Sequence, residues 1–246
     1  MKETKISIVI AHLNDLCNLK LTIDSIITSK SRCYEIIVID GLSKGVDEVL
    51  GSYLDCNLKY ISEKDSGIYD AMNKGVAIAS GEFVLFLNAG DTLTNESSLD
   101  ELIIFTELSN TAPLTDIFVW KVSVDNDPKR VKFGVLKQAA VGSEFSHQGC
   151  LIRRQLLDTY PYDTSYELAS DYKFFKTCLS NDVIFQYSNK VLTNVTSGGL
   201  SDVKRLQVVS EWSRINKEFG MNFVQIINFF RLKLMIILSV IKNRVL

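Results

Sequence analysis

Short apolar runs alternate with amphipathic stretches through the first ninety residues. Ile6–Ala11, Glu35–Ile39 and Phe83–Leu87 are apolar at most positions and end in turn residues, which predicts strands buried on both faces. Leu58–Ile61 reads as a further strand. Between them, apolar positions recur at helical spacing over about Asp15–Ile27, Val46–Leu54 and Ile68–Ala79, the last stopped by Gly81. This alternation, with short loops, predicts an α/β fold built on a doubly wound, mainly parallel sheet. Right-handed crossovers then bring Ala11, Asp40, the 63–70 loop and Asp91 to one sheet edge, where open α/β sheets bind ligands.

After Asn110 the rhythm loosens into a mixed α+β half. Strands are expected at Ile117–Val124 and Val131–Leu136 around an Asp125–Lys129 turn, and at Cys150–Arg153, Val183–Gln186 and Lys190–Asn194. Helices are expected over Glu96–Glu107 and Ser170–Leu179. The reading divides the chain into a catalytic domain over 1–202, with halves of about 1–110 and 111–202, and a helical tail over 203–246.

The length of 246 residues and an apolar content of 46% fit one large domain or one domain with an appendage. Five scattered cysteines (Cys17, Cys33, Cys56, Cys150, Cys178) without a CxxC pair suit reduced thiols in a cytosolic protein, not a disulfide frame or zinc site. The apolar stretch in MKETKISIVIAH is too short for a signal peptide. The net charge of −2 is uneven: residues 203–246 carry +6 and residues 1–202 carry −8.

The strand at 83–87 breaks off into Asn88, Ala89, Gly90 and Asp91. A carboxylate there, with a glycine admitting close backbone approach, suits a divalent cation carrying a diphosphate. The alternative is a polar turn with Asp91 near the N-cap of the next helix. The first βα turn, AHLND, has no GxGxxG, which disfavours a dinucleotide enzyme or methyltransferase.

The segments ISIVIAHLN, IIVIDGLS, SEKDSGIYDAMNKGVAIASGEFVLFLNAGD, HQGCLIRR, ELASDYKFF and GGLS follow in order over residues 5–202. Together they resemble family 2 glycosyltransferases of the GT-A fold, of the bacterial polysaccharide and O-antigen type. The resemblance implies inverting transfer of a sugar from a nucleotide diphosphate donor, by family habit a UDP-sugar with thymidine and guanosine donors left open, to a glycan or lipid-linked oligosaccharide. It implies Asp40, Ala11, Leu13 and Asp65 at the nucleotide, Asp91 on Mn²⁺ or Mg²⁺, and Asp171 as general base. His147 and Gln148 match the family's HQ pair near the sugar and diphosphate. The sequence departs from the family at Asn88 and Gly90, where carboxylates are usual, and in the loop GLSKG. A catalytically inert nucleotide-sugar-binding relative is the competing reading.

Other candidates rest on chemistry. Arg153 and Arg154 are candidates to clamp the diphosphate through guanidinium forks, with one of the two expected to be a surface charge. Tyr69, with Asp70, Asn73 and Lys74, opens a helix whose N-terminus suits phosphate or sugar, although Asp70 also suits the helix dipole. Ser170 competes with Asp171 as a helix cap. Ser197–Ser201 is a candidate lid.

From Asn222 the tail is largely apolar, with four basic residues and no acid. Its apolar runs are too short to span a bilayer, and a helix lying on an anionic membrane surface is expected, placing the protein peripherally on the inner face. Packing on the domain or at a homodimer contact is the alternative. Nucleic acid is disfavoured, because the basic residues sit among aliphatic ones.

Overall fold

The computed structural model describes residues 5–53, 55–95, 98–109, 115–133 and 146–220. Among these, nine strands form one sheet. Strands β1 (Ile6–His12), β2 (Tyr34–Asp40), β3 (Leu58–Ser62) and β4 (Phe83–Asn88) run parallel in the order β3-β2-β1-β4. The two-residue β5 (Thr92–Leu93), β6 (Ile117–Val124), β7 (Asp127–Phe133), β8 (Cys150–Arg153) and β9 (Phe185–Val195) complete the sheet. Beyond β4 the order is β8-β6-β9-β5, with β7 on β6. β8 is antiparallel to β4, so strand direction reverses there.

Alternation along the central strands sorts the helices onto two faces. Ile6, Ile8 and Ile10 pack with Leu19, Leu50 and Leu102, from α1 (Leu16–Ile27), α2 (Val46–Gly51) and α4 (Ser98–Ser109). Val9 and Ala11 belong to the opposite layer. Met72, Leu157, Phe175 and Ile215 represent α3 (Ile68–Ile78), α5 (Arg154–Thr159), α6 (Ser170–Ser180) and α8 (Arg205–Glu218) in that layer. Helix α3 seats closely on β1 through Gly75, whose added Cβ would lie 2.3 Å from Val9 Cγ1. A short α7 (Leu200–Val203) precedes α8.

Several expectations change. The segments at 183–186 and 190–194 are one strand, β9, whose polar middle is absorbed by register shifts against β6 around Lys121. The turn after β6 narrows to Asp125 and Asn126, both at positive φ, and Pro128 falls within β7. Residues 134–136 of the expected Val131–Leu136 strand lie outside the described residues. The boundary at residue 202 does not mark an edge of the core, because Trp212, Ile215 and Phe219 pack into the same layer as α6. Lys204 pairs with Glu167, so part of the tail's basic charge is engaged by its own domain. The expected membrane helix over 222–246 lies outside the described residues. Among the described residues, no helix is long and apolar enough to cross a membrane.

Candidate active site

Parallel β1, β2 and β4 finish at one rim, and each delivers a polar residue there. β2 ends in Asp40, which is fully buried. Its Oδ1 lies 2.8 Å from His12 Nδ1, and its Oδ2 accepts from Ser43 N at 2.9 Å and Ser62 Oγ at 2.6 Å. His12 Nε2 accepts from Asp15 N at 3.1 Å, which assigns the proton to Nδ1 and makes His12 a donor to Asp40. Burial pushes the Asp40 carboxyl up, but the hydrogen bonds from Ser43, Ser62 and His12 outweigh it and hold the group below its usual range. Asp40 therefore ties two strand ends to the 41–43 loop. Both oxygens are engaged and the side chain is closed to solvent, so the nucleotide contact expected of Asp40 would require one of these bonds to open.

The open part of this rim lies beside it. Leu13 is 59% exposed, and an added Cβ on Gly41 would lie 2.9 Å from Leu13 Cδ1 and 3.0 Å from Asp65 Oδ2. Leu13 and Asp65 thus close tightly around Gly41 at this rim, and Ala11 is buried. Asp65 Oδ1 accepts from Gly67 N at 3.0 Å. Lys44 is exposed.

At the end of β4 the chain turns through Gly90 at φ 101°, a left-handed conformation suited to glycine. The turn is pinned by α1, because Gly90 N donates to Thr22 Oγ1 at 2.9 Å and to Asn18 O at 3.2 Å. Asp91, 5% exposed, does not cap the next helix; its Oδ2 accepts from Asn88 N at 2.8 Å and Gln148 Nε2 at 3.1 Å. Burial pushes the Asp91 carboxyl above its usual range against these hydrogen bonds and the nearby His147 charge. Asn88 Oδ1 is buried in the same turn without a protein partner.

Because β8 runs against β4, the residues before it arrive at the same rim. A single 3-10 turn, His147–Gly149, places Gln148 on Asp91 and His147 on Asp171. Ser146 Oγ donates to Gln148 Oε1 at 2.7 Å, which orients the amide. His147 Nδ1 lies 3.1 Å from Asp171 Oδ2, and its Nε2 is buried without a protein partner. Asp171 stands in the first turn of α6, where Oδ1 accepts from Tyr69 OH and Tyr172 N, each at 2.8 Å. Burial pushes the Asp171 carboxyl up, yet the His147 hydrogen bond and charge, with Tyr69 and Tyr172 N, bring it below the ordinary value. Burial beside this carboxylate pushes the Tyr69 phenol well up, which keeps it a donor.

Residues 7–159, well over half of the chain, match Glycosyl transferase family 2. The chain belongs to this family. The glycosyltransferase is 29% identical over 217 residues to the PGL/p-HBAD biosynthesis glycosyltransferase of Mycobacterium tuberculosis, covering 82% of this chain and 81% of the relative. An uncharacterized glycosyltransferase of Methanocaldococcus jannaschii is 24% identical over 207 residues, 78% of this chain and 70% of that one. Among solved structures, S. aureus TarS aligns with a TM-score of 0.64 at 18% identity over 89% of this chain. The chain spans only 44% of TarS. The mannosyltransferase PcManGT from Pyrobaculum calidifontis, solved with GDP-Man and Mn2+, aligns with a TM-score of 0.67 at 16% identity, covering 89% of this chain and 64% of that one. These likenesses establish the GT-A fold of the glycosyltransferase.

Two sequence-derived site residues leave the rim. Arg153 pairs with Phe83 at the start of β4, the opposite edge from Asp91. It donates to Glu82 Oε1 at 2.6 Å and Thr115 O at 3.1 Å, and its guanidinium covers the Phe83 ring at 4.7 Å. Arg154 donates to Gly81 O at 3.0 Å. The diphosphate-clamp expectation is corrected for both, because β8 carries them across the sheet. Asn73 is likewise structural, exchanging two hydrogen bonds with the Tyr162 backbone. Lys74 pairs with Glu63 and Asp70. Asp70 caps Ser66 N at 2.9 Å. Sequence reading overlooked His12, Thr22 and Thr196, whose Oγ1 donates to Gly90 O at 3.1 Å. Of these, His12 carried a signal: a polar residue closing an otherwise apolar strand.

Proposed function

We propose that this glycosyltransferase moves a sugar from a nucleotide diphosphate-sugar to a hydroxyl of a polysaccharide or lipid-linked acceptor, by one displacement with inversion. One observation carries the reading: two rim carboxylates are linked through consecutive residues, Gln148 on Asp91 and His147 on Asp171, and are perturbed in opposite directions. Such a split is how a site separates roles between two like groups.

In this reading Asp171 accepts the acceptor hydroxyl's proton. His147, Tyr69 and the Tyr172 amide hold it ionised and aimed, and a positioned base of this kind contributes about 10²–10⁴-fold. Asp91 and Asn88 Oδ1 suit a Mn²⁺ or Mg²⁺ ion: one is a buried carboxylate lacking a cationic partner among its hydrogen bonds, the other an unpartnered oxygen. Among the described residues no group of three or more His, Cys, Asp or Glu residues is arranged for a metal, so the remaining ligands would be donor phosphates and water. Such an ion supplies electrostatic stabilisation to the leaving diphosphate. Leu13 and Asp65 border the nucleotide. Complexes of S. aureus TarS with UDP and UDP-GlcNAc favour uridine donors, with the GDP-Man complex of PcManGT as the competing case. The basic, aliphatic tail and the relatives named for PGL/p-HBAD biosynthesis support an acceptor at the inner membrane face.

The test is turnover of UDP-GlcNAc, UDP-Glc and GDP-Man with Mn²⁺ or Mg²⁺, with the anomeric configuration of the product followed by NMR. Inverted product, lost in Asp171→Asn, is expected. Retained configuration, or full turnover by Asp171→Asn, overturns the proposal.

A further inference from the structure

Helix α8 lies outside the family match and grips the segment that carries Asp171 from both sides. Glu211, 9% exposed, reaches from α8 to two successive backbone amides, accepting from Glu167 N at 3.1 Å and Leu168 N at 2.9 Å. On the same stretch, Arg214 donates to Ser165 O at 2.8 Å and its guanidinium lies 3.8 Å from the centre of the Tyr166 ring. Past Asp171, buried Asn216 Oδ1 accepts from Tyr172 OH at 2.6 Å and Lys176 Nζ at 2.9 Å. Glu218 pairs with Lys173 at 2.8 Å and also accepts from Tyr166 OH.

Apolar residues Val208, Val209 and Ile215 are buried where α8 docks on the domain. They do not fix the angle at which the 167–170 loop enters α6. A carboxylate accepting two consecutive amides does, because rotation of either peptide breaks a charge-assisted bond worth about 1.5–3 kcal/mol. The residues between bracket and base, Leu168, Ala169 and Ser170, are themselves buried. Displacement of Glu211 therefore moves Asp171 instead of being taken up by a loose loop. A shift of about 1 Å at such a group costs about 10²-fold in rate.

We infer that α8 is the mount of the general base and that Glu211 is a positioning residue for Asp171. The inference rests on the reading of Asp171 as base. Glu211 acts through the backbone: the groups facing the Asp171 carboxyl are His147, Cys150, Tyr69 and Tyr162, from the β8 segment, α3 and the loop after α5.

The test compares Glu211→Ala, Glu211→Gln and Asp171→Asn in the full chain. The substrate is whichever of UDP-GlcNAc, UDP-Glc and GDP-Man the wild type hydrolyses fastest with Mn²⁺. Glu211→Ala is expected to lower kcat by about 10–100-fold. Its donor KM and the thermal shift given by the matching nucleoside diphosphate with Mn²⁺ should stay within about twofold, so that the loss lies in the chemical step and not in donor binding. The acid limb of kcat should move to higher pH as the bonds to Asp171 loosen. Glu211→Gln keeps one acceptor oxygen and should fall between, and it is the deciding variant if Glu211→Ala does not fold. Wild-type kcat and an unmoved acid limb in a folded Glu211 variant, beside an inactive Asp171→Asn, overturn this inference alone. An active Asp171→Asn overturns the base assignment on which it rests.

Discussion

His12 and Asp40 meet at 2.8 Å with neither side chain exposed to solvent, and this pair closes the neighbouring ends of β1 and β2. Replacing the carboxylate leaves Ser43 N, Ser62 Oγ and His12 Nδ1 competing for a single oxygen. Asp40→Asn should lower unfolding free energy by about 2–4 kcal/mol at pH 7, measured in urea. Since folding lowers the Asp40 pKa, its contribution is complete above the unfolded value of about 3.9 and fades as pH falls through the folded one. The gap between wild type and variant should therefore narrow on acidification to about pH 3.5. A gap that widens there contradicts the assignment.

Asp91 behaves in the opposite sense. Its pKa is raised on folding, so its ionised form weakens the apo fold as pH rises through the folded value. Asn88 N and Gln148 Nε2 both address Oδ2, and one amide oxygen can serve both. Asp91→Asn should leave the metal-free Tm unchanged or higher while reducing turnover about 10²–10³-fold. A large drop in Tm would make Asp91 a structural residue.

His147 lowers the Asp171 pKa by hydrogen bond and charge, opposing burial. His147→Gln should move the acid limb of kcat to higher pH, read from a rate profile between pH 4 and 9. An unmoved limb separates the imidazole from the base.

Donor affinity should follow Asp65 and not the arginines. Asp65→Ala is expected to raise donor KM about 10-fold, in line with loss of one charged hydrogen bond, with little change in Tm. Arg153→Ala should leave KM alone and cost about 1–3 kcal/mol of stability through the Glu82, Thr115 and Phe83 contacts. The reverse pattern would return Arg153 to the site.

Strand periodicity and crossover handedness were enough to gather Asp40, Asp65 and Asp91 at one rim, because buried parallel strands leave a plain apolar signature. The direction of a side chain at that rim has no such signature, so Asp40 could not be distinguished from Asp65 as the more open carboxylate. Arg153 and Arg154 follow His147 and Gln148 closely in sequence, yet the four residues of β8 span ~13 Å and deliver them to the other edge. β5 and α5 are too short to show a period. The polar grip of α8 on the α6 segment is written in residues that look like an ordinary solvated helix face.

The reversal between β4 and β8 makes the middle of the sheet a ruler for the chemistry. Phe83, Val84 and Leu85 pair with Arg153, Ile152 and Leu151. These three rungs hold the Asn88–Asp91 turn in step with the His147–Gln148 turn. One residue of slippage would slide the two turns past each other by about 3.3 Å, the length of a hydrogen bond. Substitutions at Val84, Leu85, Leu151 and Ile152, the apolar rungs of that ladder, therefore alter the spacing between the turn that carries Asp91 and the turn that carries His147.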